Sequence, residues 1–168
     1  MSNNYINIAS SSYPSTRMRR NRRTNWSRRL IEENRLSVND LILPIFITDG
    51  DKKTVINSMP GVYRTPISQI IETVQEAKEL GIPAIALFPE TNTALKDEQG
   101  TEALNDKNLI CRATNLIKKN INDIGIITDV ALDPYTSHGH DGLLKDNEIL
   151  NDESVEILCK QAVIQAKA

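Results

Sequence analysis

Apolar residues recur along this chain in two alternating patterns: short continuous runs of strand length, and longer stretches with apolar positions three and four apart. The run Leu41 to Ile47 predicts a first strand. Its Pro44 removes a ladder hydrogen bond and so predicts a strand end or bulge. Thr65-Pro66 reads as the cap and first-turn residue of a helix. That helix turns Ile67, Ile70, Ile71, Val74 and Ala77 inward and stops at Gly81. Ala84 to Phe88 predicts a second strand, stopped by Pro89. A polar loop with Lys96 and Gly100 leads to a helix from about Asp106, with Leu109, Ile110, Ala113, Leu116 and Ile117 on its apolar face. Ile124 to Leu132 predicts a third strand. Asn151-Asp152 then caps a third helix, with Val155, Leu158, Ala162, Val163 and Ala166 as its apolar positions. Upstream, a short helix from about Trp26 to Asn34 follows residues 1–24, which have no hydrophobic periodicity and read as an extended or disordered arm.

Three strand–helix repeats imply parallel strands with right-handed crossovers. A flavodoxin-like sheet and a (β/α)8 barrel both begin this way. The last helical pattern runs into Ala166-Lys167-Ala168 without a glycine stop or a following strand. The expectation is therefore about three β/α units of a (β/α)8 TIM barrel, truncated after the third helix: a basic arm and short helix over 1–35, and a partial barrel over 36–168.

Composition narrows the class. The 168 residues are 39% hydrophobic and 25% charged, as in one soluble globular domain. No apolar run approaches the roughly 20 residues of a membrane span, and the polar N-terminus lacks a signal-peptide pattern. Cys111 and Cys159 have no CxxC spacing. They read as buried free thiols on helices in a reducing cytoplasm. Charge is uneven: residues 1–31 carry Arg17, Arg19, Arg20, Arg22, Arg23, Arg28 and Arg29 and no acid, about +7, against about −9 for the rest. A basic arm on an acidic body points to nucleic acid or to an acidic protein surface, such as a second subunit.

Thr128 to Gly142 (TDVALDPYTSHGHDG) concentrates the candidate chemistry, with both histidines, His138 and His140, and three aspartates. Strand alternation places Ile127, Asp129, Ala131 and Asp133 on one face, the carboxylates nearest the C-terminal end where barrel enzymes keep their active sites. Asp129 and Asp133 lie roughly 13 Å apart along an extended strand, too far to share an ion without a bend. Asp133 and Asp141 can converge through the glycine-punctuated loop. Oxygen ligands favour magnesium, and imidazoles recruit zinc. Such residues also serve simply as turn and capping groups, so both readings stand.

At this loop the chain resembles the delta-aminolevulinic acid dehydratase (porphobilinogen synthase) family. Arg28-Arg29-Leu30, Leu41 to Phe46, Ser58 to Val62, Leu80-Gly81-Ile82, Ala86 to Pro89 and Asn151-Asp152-Glu153 agree in order, covering about Arg17 to Ala168. The resemblance implies a (β/α)8 barrel whose arm, here including Arg17, Arg19 and Arg20, wraps a neighbouring subunit, commonly in a homo-octamer. It implies condensation of two 5-aminolevulinate molecules to porphobilinogen with loss of two waters, in heme and other tetrapyrrole synthesis. Ala131, Asp133 and Asp141 match the three cysteines of zinc-dependent members, so a thiolate zinc site is not expected. The resemblance is to the aspartate-rich, magnesium-responsive branch, with Asp133 and Asp141 as candidate ligands. Asp129, Asp133, Ser137 and Asp141 then form an active-site wall. The two Schiff-base lysines belong to later strands, beyond Ala168, so this chain alone is expected to be inactive. Lys96, the one lysine near the barrel mouth, reads as a polar contact.

Two other functions compete. A truncated barrel can act as a non-catalytic assembly partner or be a degraded gene product. An arginine arm can bind nucleic acid, but Trp26 and Tyr13 alone give little stacking capacity. The expected partners are therefore 5-aminolevulinate and further copies of the subunit, without nucleic acid or membrane.

Overall fold

The computed structural model describes Tyr13, Pro14, Arg17 and residues 19–168, which divide into two compact units, Met1–Leu36 and Ser37–Ala168. In the first, Arg20–Arg22 form a single 3-10 turn and helix α1 spans Asn25–Leu30. Ser27 Oγ donates to the Asn21 carbonyl and Arg28 Nη1 to that of Arg22, tying the helix to the turn. The helix stops at Leu30 rather than Asn34. Continuing would place Glu32 and Glu33 at the negative end of its dipole. The rest of the arm expected over 1–24 lies outside the described residues.

The second unit runs β1 (Ile42–Thr48), β2 (Thr54–Val55), β3 (Tyr63–Pro66), α2 (Ile70–Glu79), β4 (Ala84–Pro89), α3 (Leu109–Asn120), β5 (Gly125–Thr128), β6 (Leu143–Lys145), β7 (Glu148–Leu150) and α4 (Asn151–Lys167). The main sheet has the order β2-β3-β1-β4-β5. All neighbours are parallel except β2 and β3. Thus β1, β4 and β5 follow in sequence with α2 and α3 as crossovers. The helix-facing side of the sheet contributes Ile45, Ile47, Ile85 and Leu87. They pack on Ile70, Val74 and Ala77 of α2 and on Leu109, Ile110, Ala113 and Ile117 of α3. This is the main core.

Several expectations give way here. Thr65-Pro66 does not cap a helix. Arg64 to Pro66 pair with Phe46 to Thr48, and a 3-10 turn, Ile67–Gln69, separates them from α2. Pro44 sits inside a regular strand. The Ile47 carbonyl accepts from Glu90 N on the β4 side, so alternation turns the missing donor of Pro44 to the opposite edge. There β3 begins pairing only at Phe46. The third strand stops at Thr128 instead of Leu132. Beyond it the chain bends, and the Leu132 carbonyl accepts from both Tyr135 N and Thr136 N.

The hairpin β6–β7 was not anticipated, although Asp146-Asn147 between apolar flanks is its turn signal. Both residues take positive φ, 51° and 64°. On α4 only part of the predicted apolar face turns inward, Leu158 packing on the small core around Leu132. Val155 and Val163 are 49% and 53% exposed, whereas Ser154, Gln161 and Gln165 are buried. Cys159 is likewise exposed, and only Cys111 is a buried thiol, raised in pKa by burial and then by Asp106.

Candidate active site

The sheet face away from α2 and α3 carries in-register rows: Ile42, Ala84 and Gly125; Pro44, Ala86 and Ile127; then Phe46 and Phe88. The lower rows mix Ala84, Gly125, Pro44 and Ala86 with Ile42 and Ile127, and the two rings meet at the C-terminal end with centroids 5.5 Å apart. Arg64 pairs with Phe46 in register, and its Nε lies 3.0 Å from Glu90 Oε1. Asp129 follows on this face one step beyond the last β4–β5 pair, Leu87 and Thr128. An acid, two aromatics and an ion pair thus gather at the strand ends, where parallel α/β sheets place their chemistry. Sequence reading had singled out only Asp129. Applying alternation to all three strands at once would have found Phe46 and Phe88.

The loop after β5 is held from several sides. Gln165 Nε2 donates to the Asp129 carbonyl and Gln161 Nε2 to that of Ala131. Asp141 Oδ1 accepts from Leu132 N at 2.6 Å, closing the loop on itself. Leu132 and Tyr135 bury with Ala103, against Ile157 and Leu158 of α4, as a second small core. Ala131 is buried too, so the expected common face of Ile127, Asp129, Ala131 and Asp133 breaks at the bend, and only the others stay exposed. Gly142 is needed where the hairpin closes, since a Cβ there would lie 2.7 Å from Ile149 Cγ2.

The preceding β4–α3 loop is docked against this one. Asp97 and Thr136 form a parallel bridge, and Ser137 N donates to the Asp97 carbonyl. The Asp97 carboxylate accepts from Thr101 N and Gln99 N. Its pKa is lowered, first by the hydrogen bonds of Thr101. His138 Nδ1 accepts from His140 N, which leaves its Nε2 as the protonated nitrogen, facing the Glu98 carbonyl at 3.2 Å. Both ring nitrogens are therefore engaged, and His138 is a loop clamp instead of a zinc ligand.

Asp129, Asp133, Ser137 and Asp141 are all exposed around this loop. Although Asp133 reaches solvent, desolvation by the loop raises its pKa, with the charges of Asp141 and then Asp129 adding. Its own backbone N–H and Lys96 act in the opposite direction. The bend thus brings the three carboxylates into one field, with half-buried Lys96 as the nearby cation that sequence suggested. Among the described residues no three His, Cys, Asp or Glu side chains converge as metal donors. Asp141 already spends an oxygen on Leu132. Asp133 and Asp141 alone do not make a metal centre as they stand.

Known proteins resemble this chain in sequence and fold. A family model described as delta-aminolevulinic acid dehydratase matches residues 15–168. The delta-aminolevulinic acid dehydratase of Bradyrhizobium diazoefficiens is 52% identical over 90% of this chain and 43% of its own length. The chloroplastic enzyme of Oryza sativa subsp. japonica is 44% identical over 90% of this chain and 36% of its own. A crystal structure of the Toxoplasma gondii ME49 enzyme, in complex with the reaction product porphobilinogen, superposes with a TM-score of 0.83. It is 39% identical and covers 90% of this chain and 44% of its own. The parallel α/β sheet accordingly corresponds to the N-terminal part of a TIM barrel, and the chain spans less than half the length of these relatives. With a match from residue 15 to 168, the chain belongs to the delta-aminolevulinic acid dehydratase family.

Proposed function

We propose that this chain supplies the first wall of a porphobilinogen synthase site, for condensation of two 5-aminolevulinate molecules with loss of two waters. The observation that carries the reading is the Thr128–Gly142 loop. It sets Asp129 and Asp133, exposed, at the C-terminal end of β5 in a chain that matches the family throughout this region. Carboxylates there attract the ammonium end of 5-aminolevulinate, and Phe46 and Phe88 offer an apolar floor beside them. Asp133, whose pKa is raised by desolvation and by the charge of Asp141, is a candidate for exchanging a proton with a bound amine. Schiff-base chemistry requires lysines matching the family's later strands, and Lys96 is not assigned that role. As to metal, oxygen donors such as Asp133 and Asp141 favour magnesium over zinc, for which the loop lacks thiolates. The pair needs further donors, and no step is routed through an ion.

Assembly into a homo-oligomer through the arm that includes Arg17, Arg19 and Arg20, and residence in the reducing cytoplasm, belong to the same proposal. Both cysteines are free, and no helix among the described residues is long and apolar enough to cross a membrane.

The test joins this chain to the remaining barrel of the Bradyrhizobium diazoefficiens relative and measures porphobilinogen formed from 5-aminolevulinate. Activity is expected in the joined protein and none in the 168-residue chain alone. Asp129→Ala in the joined protein is expected to cost at least about 100-fold, as for loss of a positioned acid–base or charge-stabilising group. A folded joined protein with no activity, or one indifferent to Asp129, overturns the reading.

A further inference from the structure

The β5 ladder ends at Thr128, yet the backbone beyond it is not left to solvent. Gln165 Nε2 donates to the Asp129 carbonyl at 2.9 Å while its Oε1 accepts from Thr128 Oγ1, also at 2.9 Å. Gln161 Nε2 donates to the Ala131 carbonyl at 3.0 Å. The two amides are one helical turn apart, an axial rise of roughly 6 Å. The two carbonyls belong to residues two apart in the chain, just past the end of β5. One face of α4 therefore takes up the carbonyls with which the chain leaves β5.

Burial argues that this is why glutamines stand there. Gln161 is 0% exposed and Gln165 6%, while valines of the same helix face outward. Gln161 Oε1 is buried with no partner among the described residues, a cost a leucine or methionine would avoid. What the amide adds at that position is its donor to Ala131. With Asp141 holding Leu132 N, three backbone groups in the first residues after β5 are engaged by side chains, two of them from α4.

We propose that Gln161 and Gln165 are positioning residues, which hold the backbone just past β5 and so set where Asp129 and Asp133 project. The assignment rests on the synthase reading of the carboxylate wall. The test uses the isotopically labelled full chain in solution, by nuclear magnetic resonance. In the unsubstituted protein, the side-chain Nε2 of Gln165 should show a coupling across the hydrogen bond to the Asp129 carbonyl. Its absence overturns the proposal whatever any variant does. Gln165→Met preserves length and burial without hydrogen bonds. It should move the Asp129 and Asp133 signals and speed amide exchange at Tyr135 and Thr136 about five- to tenfold, the effect of losing one or two net hydrogen bonds. Amides of β1, β4 and α3 should be unchanged. Gln165→Glu keeps the acceptor for Thr128 but sets a buried carboxylate oxygen against the Asp129 carbonyl, and should disturb the loop at least as much as methionine. If the methionine variant matches the parent, the side chain merely fills space. If exchange quickens equally throughout the sheet, the role is general stability. Either result overturns the assignment. None of these readouts requires catalysis, so failure of the synthase reading would appear separately, in the porphobilinogen assay.

Discussion

Between β1 and α3 the sheet is joined to its helices by aliphatic side chains, with Ile47, Ile70, Ile85, Leu87 and Ile117 fully buried and no polar group needed between them. From Asp129 to α4 the apolar contribution shrinks to Leu132, Tyr135 and Ala103, and hydrogen bonds from Gln161, Gln165 and Asp141 take over. Apolar burial is non-directional and tolerates small shifts. Hydrogen bonds fix distance and angle, and leave neighbouring carboxylates free to face outward. The first region supplies free energy and the second supplies geometry.

The comparison breaks most visibly at Leu87. Leu87→Ala empties a fully buried position of the central strand and is expected to cost about 2–5 kcal/mol in urea unfolding, loosening both regions together. Leu132→Ala, also 0% exposed but in the smaller cluster, should cost about 2–3 kcal/mol. Its signature is local: hydrogen exchange rises around Tyr135 and Thr136 while β1 and β4 keep their protection. Equal loss in both regions would mean that they are one cooperative core.

Hydrogen-bond geometry is tested at Asp141. Asp141→Ala leaves the Leu132 N–H without its acceptor and should cost about 1–2 kcal/mol, whereas Asp141→Asn, which keeps an acceptor oxygen, should cost less. Identical losses would assign the effect to charge. The smallest effect is expected at Asp133. Its pKa is raised from an ordinary 3.8, so as pH rises through that value the unfolded chain releases its proton first and folding loses stability. The loss is complete above the folded pKa. Asp133→Asn removes it and should be more stable than the parent at pH 7, but not at pH 3. A difference that is the same at both pH values removes the electrostatic explanation.

The first region was largely legible in the sequence because periodicity reports burial. The apolar spacing of α2 and α3 named the residues that enter the core, and Ala84 to Phe88 was found almost to the residue. Errors cluster where hydrogen bonding decides. Thr65-Pro66 has the chemistry of a helix start, but pairing with β1 captures it as strand. On α4 the valines marked the wrong face, since the open carbonyls beyond β5 draw the glutamines inward. The carboxylate loop was recognised by composition, yet its bend and the engagement of His138 and Asp141 were not.

Residue pattern alone determined the alternation of β1, β4 and β5 with α2, α3 and α4, the parallel class of the main sheet, the family resemblance and the location of the acidic loop. Each follows from local periodicity or from side chains close in sequence. Tertiary structure alone decided which face of α4 is buried and how the loop turns after Thr128. It also decided that Asp133 lies in the field of Asp129 and Asp141, and that Arg64, Phe46 and Phe88 share a face with Asp129. Those facts depend on backbone groups far apart in the chain finding partners. Only the folded arrangement shows which donors and acceptors remain open to be filled.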